Sequence, residues 1–282
     1  VCSSDLEHLP VELIKNDIEI NVHSGQRSAV LASEDFFRYG SGPSRPDVNT
    51  LFEMLEMLRS IEGLDFVQLD HANVSTVAQI SVEDLKEIRK MLTFRNDPKY
   101  LWVNMGLESA NGQLVKRTCP AKISPFDPDN WENIILETAD KMNRSNFFPV
   151  YSIILGLPGE TLEDVERTSK LIDRLDKSSA VIFPIFYEPV DSSQIAEGAG
   201  FDMDRMMVEH LNLYRKCYEI NFKRMPGLFR DNQSVGGESF LKKLFVQMLG
   251  KVEIITWRKS FADIHKKILR RMSQKAEDKS VA

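Results

Sequence analysis

Apolar residues along this chain follow two spacings in alternation. Short, near-continuous apolar runs at 27–32, 64–69, 101–107, 149–155 and 180–186 are separated by stretches in which apolar side chains recur every three or four residues. Runs of the first kind predict strands covered on both faces, and the stretches between them predict amphipathic helices. Residues 48–58 place Val48, Leu51, Phe52, Leu55 and Leu58 on one side, and the segment opened by Ser81 does the same with Val82, Leu85, Ile88 and Leu92. Further helices are predicted around 131–142 (Trp131, Ile134, Ile135, Met142), after Thr161 (Leu162, Val165, Ile172, Leu175) and over most of 202–225. Ser81 with Asp84, and Thr161 with Asp164, have the spacing of a capping box, in which a hydroxyl and a carboxylate satisfy free N–H groups at a helix start.

No hairpin signal joins any two of the runs. Strand–helix alternation of this kind predicts parallel strands with helical crossovers, hence a wound α/β sheet or barrel. Pro184, inside the last run, predicts an edge strand or a bulge there. In such folds ligands bind at the carboxyl ends of the strands, so the residues just after each run are the ones to inspect.

Beyond 239 the rhythm changes. Phe240, Leu241, Leu244, Phe245 and Met248 make one helical stripe, and Trp257, Phe261, Ile264, Ile268 and Met272 make another. Nine Lys or Arg residues stand against four Asp or Glu between Lys251 and Lys279. A helix packed on the α/β domain with a solvated basic face explains this, and a partner, RNA or membrane-surface contact is the alternative. The organisation expected is therefore an α/β domain over 7–230 and a helical extension over 231–282 with a disordered end of about eight residues.

Composition narrows the function classes. With 42% hydrophobic and 28% charged residues, the 282-residue chain has a globular balance, and its net charge of −6 argues against a dedicated nucleic-acid binder. No apolar run reaches the roughly 20 residues of a membrane span. Three cysteines, Cys2, Cys119 and Cys217, are too scattered for a disulfide framework, which points to a reducing, cytoplasmic setting. The opening Val-Cys-Ser-Ser-Asp-Leu reads as a translated sequencing or cloning scar, so residues 1–6 are set aside and an upstream extension is expected.

The strand ends carry the candidate chemistry. After the first run come Ser33, Glu34 and Asp35, whose carboxylates could take a ligand ammonium group or cap the next helix. His71 ends the second run and reads either as a proton donor or metal ligand facing substrate or as a structural residue. After the third come Gly106, Glu108 and Ser109, where a carboxylate and a hydroxyl suit ribose or an amino-acid group. After the fourth, Ile153-Ile154-Leu155-Gly156-Leu157-Pro158-Gly159-Glu160-Thr161 makes a glycine-bracketed turn into a capped helix, where a flat ligand could lie against bare backbone. The turn lacks the Gly-Lys-Ser/Thr ending of a P-loop and the G-x-G-x-x-G of a dinucleotide site. Tyr187 and Glu188 follow the fifth run and line either a pocket or a packed loop. There is no Gly-x-Ser-x-Gly elbow, and His8, His23, His210 and His265 show no metal-ligand spacing.

Gly-Leu-Glu-Ser at 106–109, followed by Ile-Leu-Gly-Leu-Pro-Gly-Glu-Thr-Leu-Glu-Asp-Val at 154–165, closely resembles the radical S-adenosylmethionine (radical SAM) superfamily, over roughly residues 10–190. The resemblance is closest to members with a cobalamin-binding domain ahead of the barrel. It implies a partial parallel (β/α)6 barrel lacking its first strand, S-adenosylmethionine, and a 4Fe-4S cluster reduced by a donor such as flavodoxin or ferredoxin. It implies that Ser33, Glu34 and Asp35 serve the methionyl amino group, and that Glu108 and Ser109 serve the ribose or methionyl part. Ile154, Gly156, Pro158, Gly159 and Tyr187 would line the adenine, Lys116 or Arg117 would meet the carboxylate, and His71 and Glu188 would face substrate. Members carry CxxxCxxC for the cluster. This chain has no such spacing, which places the motif upstream. The expected function is reductive cleavage of S-adenosylmethionine for hydrogen abstraction or methyl transfer on a small molecule that the sequence does not name. A non-catalytic module for a nucleotide-like ligand is the rival, and an acid–base enzyme using Glu34 and Glu108 a weaker one.

Overall fold

The computed structural model describes residues 7–42, 45–189, 200–235 and 240–281. The scar reading of residues 1–6, Cys2 included, lies outside these. The parallel strands are β1 (Ser28–Leu31), β2 (Phe66–Leu69), β3 (Leu101–Glu108), β4 (Phe147–Leu155) and β5 (Val181–Phe186). β1 pairs with β2 from Ser28 opposite Phe66 to Leu31 opposite Leu69, and β4 runs between β3 and β5. A bridge at His71 and Asn104 joins the two groups, where the Asn104 N–H donates to the Asp70 carbonyl (2.9 Å) and the Ala72 N–H to the Asn104 carbonyl (3.0 Å). The strands thus lie side by side in chain order, with their carboxyl ends on one rim.

Helices return the chain after each strand. These are α1 (Val11–His23), α2 (Val48–Arg59), α3 (Val74–Ala78), α4 (Val82–Leu92), α5 (Gly112–Thr118), α6 (Pro120–Ile123), α7 (Trp131–Arg144), α8 (Leu162–Leu175), α9 (Val208–Val235) and α10 (Phe240–Val281). The predicted faces are the buried ones: Leu51, Leu55 and Leu58 of α2, Leu85, Ile88 and Leu92 of α4, and Trp131, Ile135 and Met142 of α7 pack against Leu69, Val103, Met105, Ile153 and Leu155 of the strands. Ser81 caps α4, and Thr161 with Asp164 forms a complete capping box on α8. α1, α3, α5 and α6 were not legible: α1 buries only Ile18, and the other three are seven residues long or less. α9 continues through Pro226 to Val235, past the expected end at 225 and past the expected boundary at 230. α10 runs to Val281.

The two sheet edges differ. At β5 the Asn221 side chain on α9 accepts from the Ile182 N–H (2.8 Å) and donates to the Ile182 carbonyl (2.7 Å), standing in for a neighbouring peptide. At β1 no further strand is paired among the described residues, and the edge borders a cavity of about 800 Å³ lined by Leu13, Ile14 and Ile18 of α1 and by Val30, Leu31 and Ala32.

Candidate functional site

The carboxyl-end rim gathers most of the predicted residues, though several are turned to structural use. Ser33 and Glu34 are exposed beyond β1. Asp35 is buried: it accepts from the Thr76 hydroxyl (2.6 Å) and from the Asn73 N–H (3.2 Å), which ties the β1 loop to α3. Burial lifts its carboxyl to about 6 against those hydrogen bonds. Each Asp35 oxygen thus already holds one protein donor, beside any ligand ammonium that it was expected to serve.

Beyond β2, the Asn104 side-chain amide donates to Asp70 (2.8 Å), and the other Asp70 oxygen lies 2.9 Å from Nδ1 of His71. The His71 side chain is half exposed, and its backbone carbonyl receives the Phe36 N–H (2.9 Å). This chain of contacts orients the ring at the rim. No sequence signal marked Asp70 or Asn104 as its partners.

At the end of β3 the ladder slips between Gly106 and Glu108, and Glu108 takes a left-handed φ of 60°. The slip folds the Glu108 carboxylate back over Gly106, where it pairs with Lys122 of α6; a side chain at position 106 would collide with both groups. Lys122 was not predicted. Lys116, which was, lies exposed on α5, and the Arg117 guanidinium lies near Gly159. Ser109 is turned inward: its hydroxyl lies 3.3 Å from that of Thr168, its carbonyl receives the Trp131 indole N–H (3.1 Å), and it is closed to solvent.

The turn after β4 is built as expected but is not bare. Gly156 has φ +80°, and its N–H donates to Glu160 (2.7 Å). Glu160 lies 3.3 Å from Nε2 of His210, whose Nδ1 accepts from the Met207 N–H (3.3 Å). The Phe201 ring lies directly on Gly156, so that a Cβ there would fall inside it. Leu157, Tyr187 and Leu114 form a buried apolar cluster, with Ile154 and Phe201 packed against it. Pro158 is half-buried, and Gly159 and Glu188 are exposed.

Cys217 is buried in α9, and burial pushes its thiol up to about 12. Cys119 lies in the loop after α5, and no three His, Cys, Asp or Glu side chains among the described residues are grouped to hold a metal. Among the described residues the two thiols, Cys119 and Cys217, are not grouped as a 4Fe-4S cluster requires. No helix among the described residues is long and apolar enough to cross a membrane.

No protein-family model matches the chain. Curated relatives do. The ribosomal protein uS12 methylthiotransferase RimO of Leptospira biflexa is 24% identical over 200 residues, 71% of this chain and 40% of that protein. RimO of Trichlorobacter lovleyi is 23% identical over 248 residues, 86% of this chain and 50% of that protein. The threonylcarbamoyladenosine tRNA methylthiotransferase MtaB of Thermotoga maritima is 25% identical over 192 residues, 67% of this chain and 39% of that protein. The chain therefore spans about half or less of the length of these relatives. Among solved structures, an apo beta-glucosidase overlaps at TM-score 0.32 with 11% identity, over 77% of this chain and 75% of that one, too loosely to bear on fold or function. The homologues that the sequence reaches are methylthiotransferases of the radical SAM superfamily, at low identity.

Proposed function

We propose that this chain supplies the S-adenosylmethionine-binding rim of a radical SAM enzyme. Glu108 carries the reading. A non-glycine residue in left-handed backbone costs about 1–3 kcal/mol and persists where the surroundings impose it, commonly at ligand sites. Here the strained backbone holds a buried carboxylate beside Lys122 at the end of β3. Such a pair can exchange its internal contact for ligand hydroxyls or the charged ends of an amino acid. Glu34 offers a second, exposed carboxylate on the same rim, and Lys116 and Arg117 offer cations. The apolar cluster of Ile154, Leu157 and Tyr187, rather than bare Gly156 backbone, is assigned to the adenine wall, with Pro158 and Gly159 at its margin. Glu188 and His71 are assigned to the substrate side.

When bound with a cluster, S-adenosylmethionine supplies the 5′-deoxyadenosyl group for hydrogen abstraction. The chain's own part is to bind, orient and shield that ligand. We assign the cluster thiolates to sequence preceding β1, whose outer edge pairs with no further strand among the described residues and borders the cavity. The fold would then be a partial barrel lacking its first strand, served in the intact enzyme by a reductant such as flavodoxin or ferredoxin. Similarity to methylthiotransferases supports group transfer as the outcome.

The test is calorimetric titration of this chain with S-adenosylhomocysteine. Saturable binding is expected, weakened tenfold or more by Glu108→Gln, since a charge-assisted hydrogen bond contributes about 1.5–3 kcal/mol. A folded chain with no saturable heat at millimolar ligand refutes the reading. Anaerobic reconstitution should give no cluster on this chain, and stoichiometric iron and sulfide would overturn the assignment of the thiolates elsewhere. An intact upstream reading frame without CxxxCxxC would favour the non-catalytic module.

A further inference from the structure

α10 has two apolar faces, and among the described residues only one is covered. From Trp257 onward, Phe261 and Ile268 are buried against α9, with Trp257 and Ile264 beside them and Tyr214, Tyr218 and Phe222 opposite; Arg258 closes the contact on Glu219 at 2.7 Å. The N-terminal part of the helix turns a different face to solvent. Leu244, Phe245, Met248, Leu249, Val252 and Ile255 are between 46% and 66% exposed there. It shares Leu244, Phe245 and Met248 with the first of the two C-terminal stripes in the sequence and runs on to Ile255, and nothing in the rim explains it.

The spacing of the exposed stripe is specific. Phe245, Met248, Val252 and Ile255 follow one another at three, four and three residues, the 3-4 repeat of a coiled-coil seam, with Leu244 and Leu249 flanking it. The next seam position is Lys259, and the seam stops there. A single amphipathic helix lying on its own domain has no need of this repeat on its outer face.

We propose that this face joins two copies of the chain through an antiparallel pairing of their α10 helices. Isologous contacts require the surface to be complementary to itself, with residue i meeting j and j meeting i. About a two-fold axis at position 250 the seam meets that condition: Phe245 lies opposite Ile255 of the second copy, Met248 opposite Val252, and each pair recurs in reverse. Every layer is then apolar. The parallel arrangement places the two Lys259 ammonium groups in one layer, and the antiparallel one separates them. Six side chains each leaving roughly 100 Å² uncovered give roughly 1,200 Å² over both copies, the lower end of stable interfaces. The pairing does not depend on what the rim binds.

Light scattering on the eluted chain, at concentrations up to roughly 100 µM where a micromolar dimer is populated, reads the result directly. A dimer mass is expected, and Phe245→Glu with Val252→Glu should return it to monomer with the main thermal transition unchanged. For orientation, Met248→Cys and Val252→Cys proteins are exposed to air with a copper–phenanthroline catalyst, each alone and, in a third sample, after mixing. The antiparallel pairing predicts a disulfide between positions 248 and 252 in the mixture alone, identified by peptide mass. Disulfides formed by each protein alone would overturn the antiparallel arrangement. A wild-type monomer at the highest concentration, with or without binding to anionic phosphatidylserine vesicles, would overturn self-association.

Discussion

Replacing Gly156 by alanine separates two costs that the structure places at one atom. The first is conformational: the residue sits at φ +80°, where a side chain costs roughly 1–2 kcal/mol. The second is steric, because the added Cβ falls inside the Phe201 ring. Forcing a methyl into occupied space costs about 1–3 kcal/mol when neighbours must shift. Phe201 has limited freedom to yield, since its N–H donates to the Tyr187 carbonyl (2.8 Å) and its ring lies 4.9 Å from that of His210 and 5.6 Å from that of Phe186. Gly156→Ala alone is therefore expected to lose about 2–5 kcal/mol in urea unfolding. In a Phe201→Ala background the steric part vanishes and only about 1–2 kcal/mol remains, so the double-mutant cycle should show a coupling of about 1–3 kcal/mol. Additive losses would mean that Phe201 does not rest on Gly156. Absence of any loss would mean that the turn does not use left-handed backbone.

Two further expectations concern buried polar groups. Asp35, with its carboxyl lifted to about 6, is protonated in the folded state where it would be ionised in the unfolded one. The folded state thus binds more protons between pH 4 and 6, and stability falls as pH rises through that window, by about 3 kcal/mol for a shift of this size. Asp35→Asn keeps an acceptor for the Asn73 N–H and removes the titration, so its stability relative to wild type should grow from pH 4 to 7; a gap that does not change with pH refutes the assignment. The Tyr151 hydroxyl is buried with no hydrogen-bond partner among the described residues. Tyr151→Phe should accordingly gain about 1 kcal/mol in urea unfolding, and a loss of that size would show that the hydroxyl has a partner.

What the sequence made legible follows burial. Helices α2, α4, α7 and α8 were readable because each buries one stripe against strands that are covered on that side, so the 3.6-residue period is written in large apolar residues. The strands were readable as apolar runs for the same reason. α1 was not, because among its apolar residues Leu13 and Ile20 are exposed and no buried stripe exists to be read. α5 and α6 are too short for a period, and only the Asn111 cap, accepting from the Gln113 and Leu114 N–H groups, marks the first of them.

The rim was legible in place and not in detail, and the reason lies in what a strand end must do. A residue just beyond a buried strand can point toward a ligand or back into the helix layer, and the residue type suits either. Asp35 and Ser109 went inward because Thr76 and Thr168, far along the chain, stand ready to bond them. Glu108 folds back over Gly106 to meet Lys122 where the ladder slips, and a slip of one residue leaves no compositional trace. Its partner Lys122 is equally silent in sequence, being a lysine on a four-residue helix with the exposed Lys116 six residues before it. Motif reading locates the rim because strand order and turn chemistry are local. It cannot choose among adjacent polar residues, because that choice is made by partners that only the fold brings near.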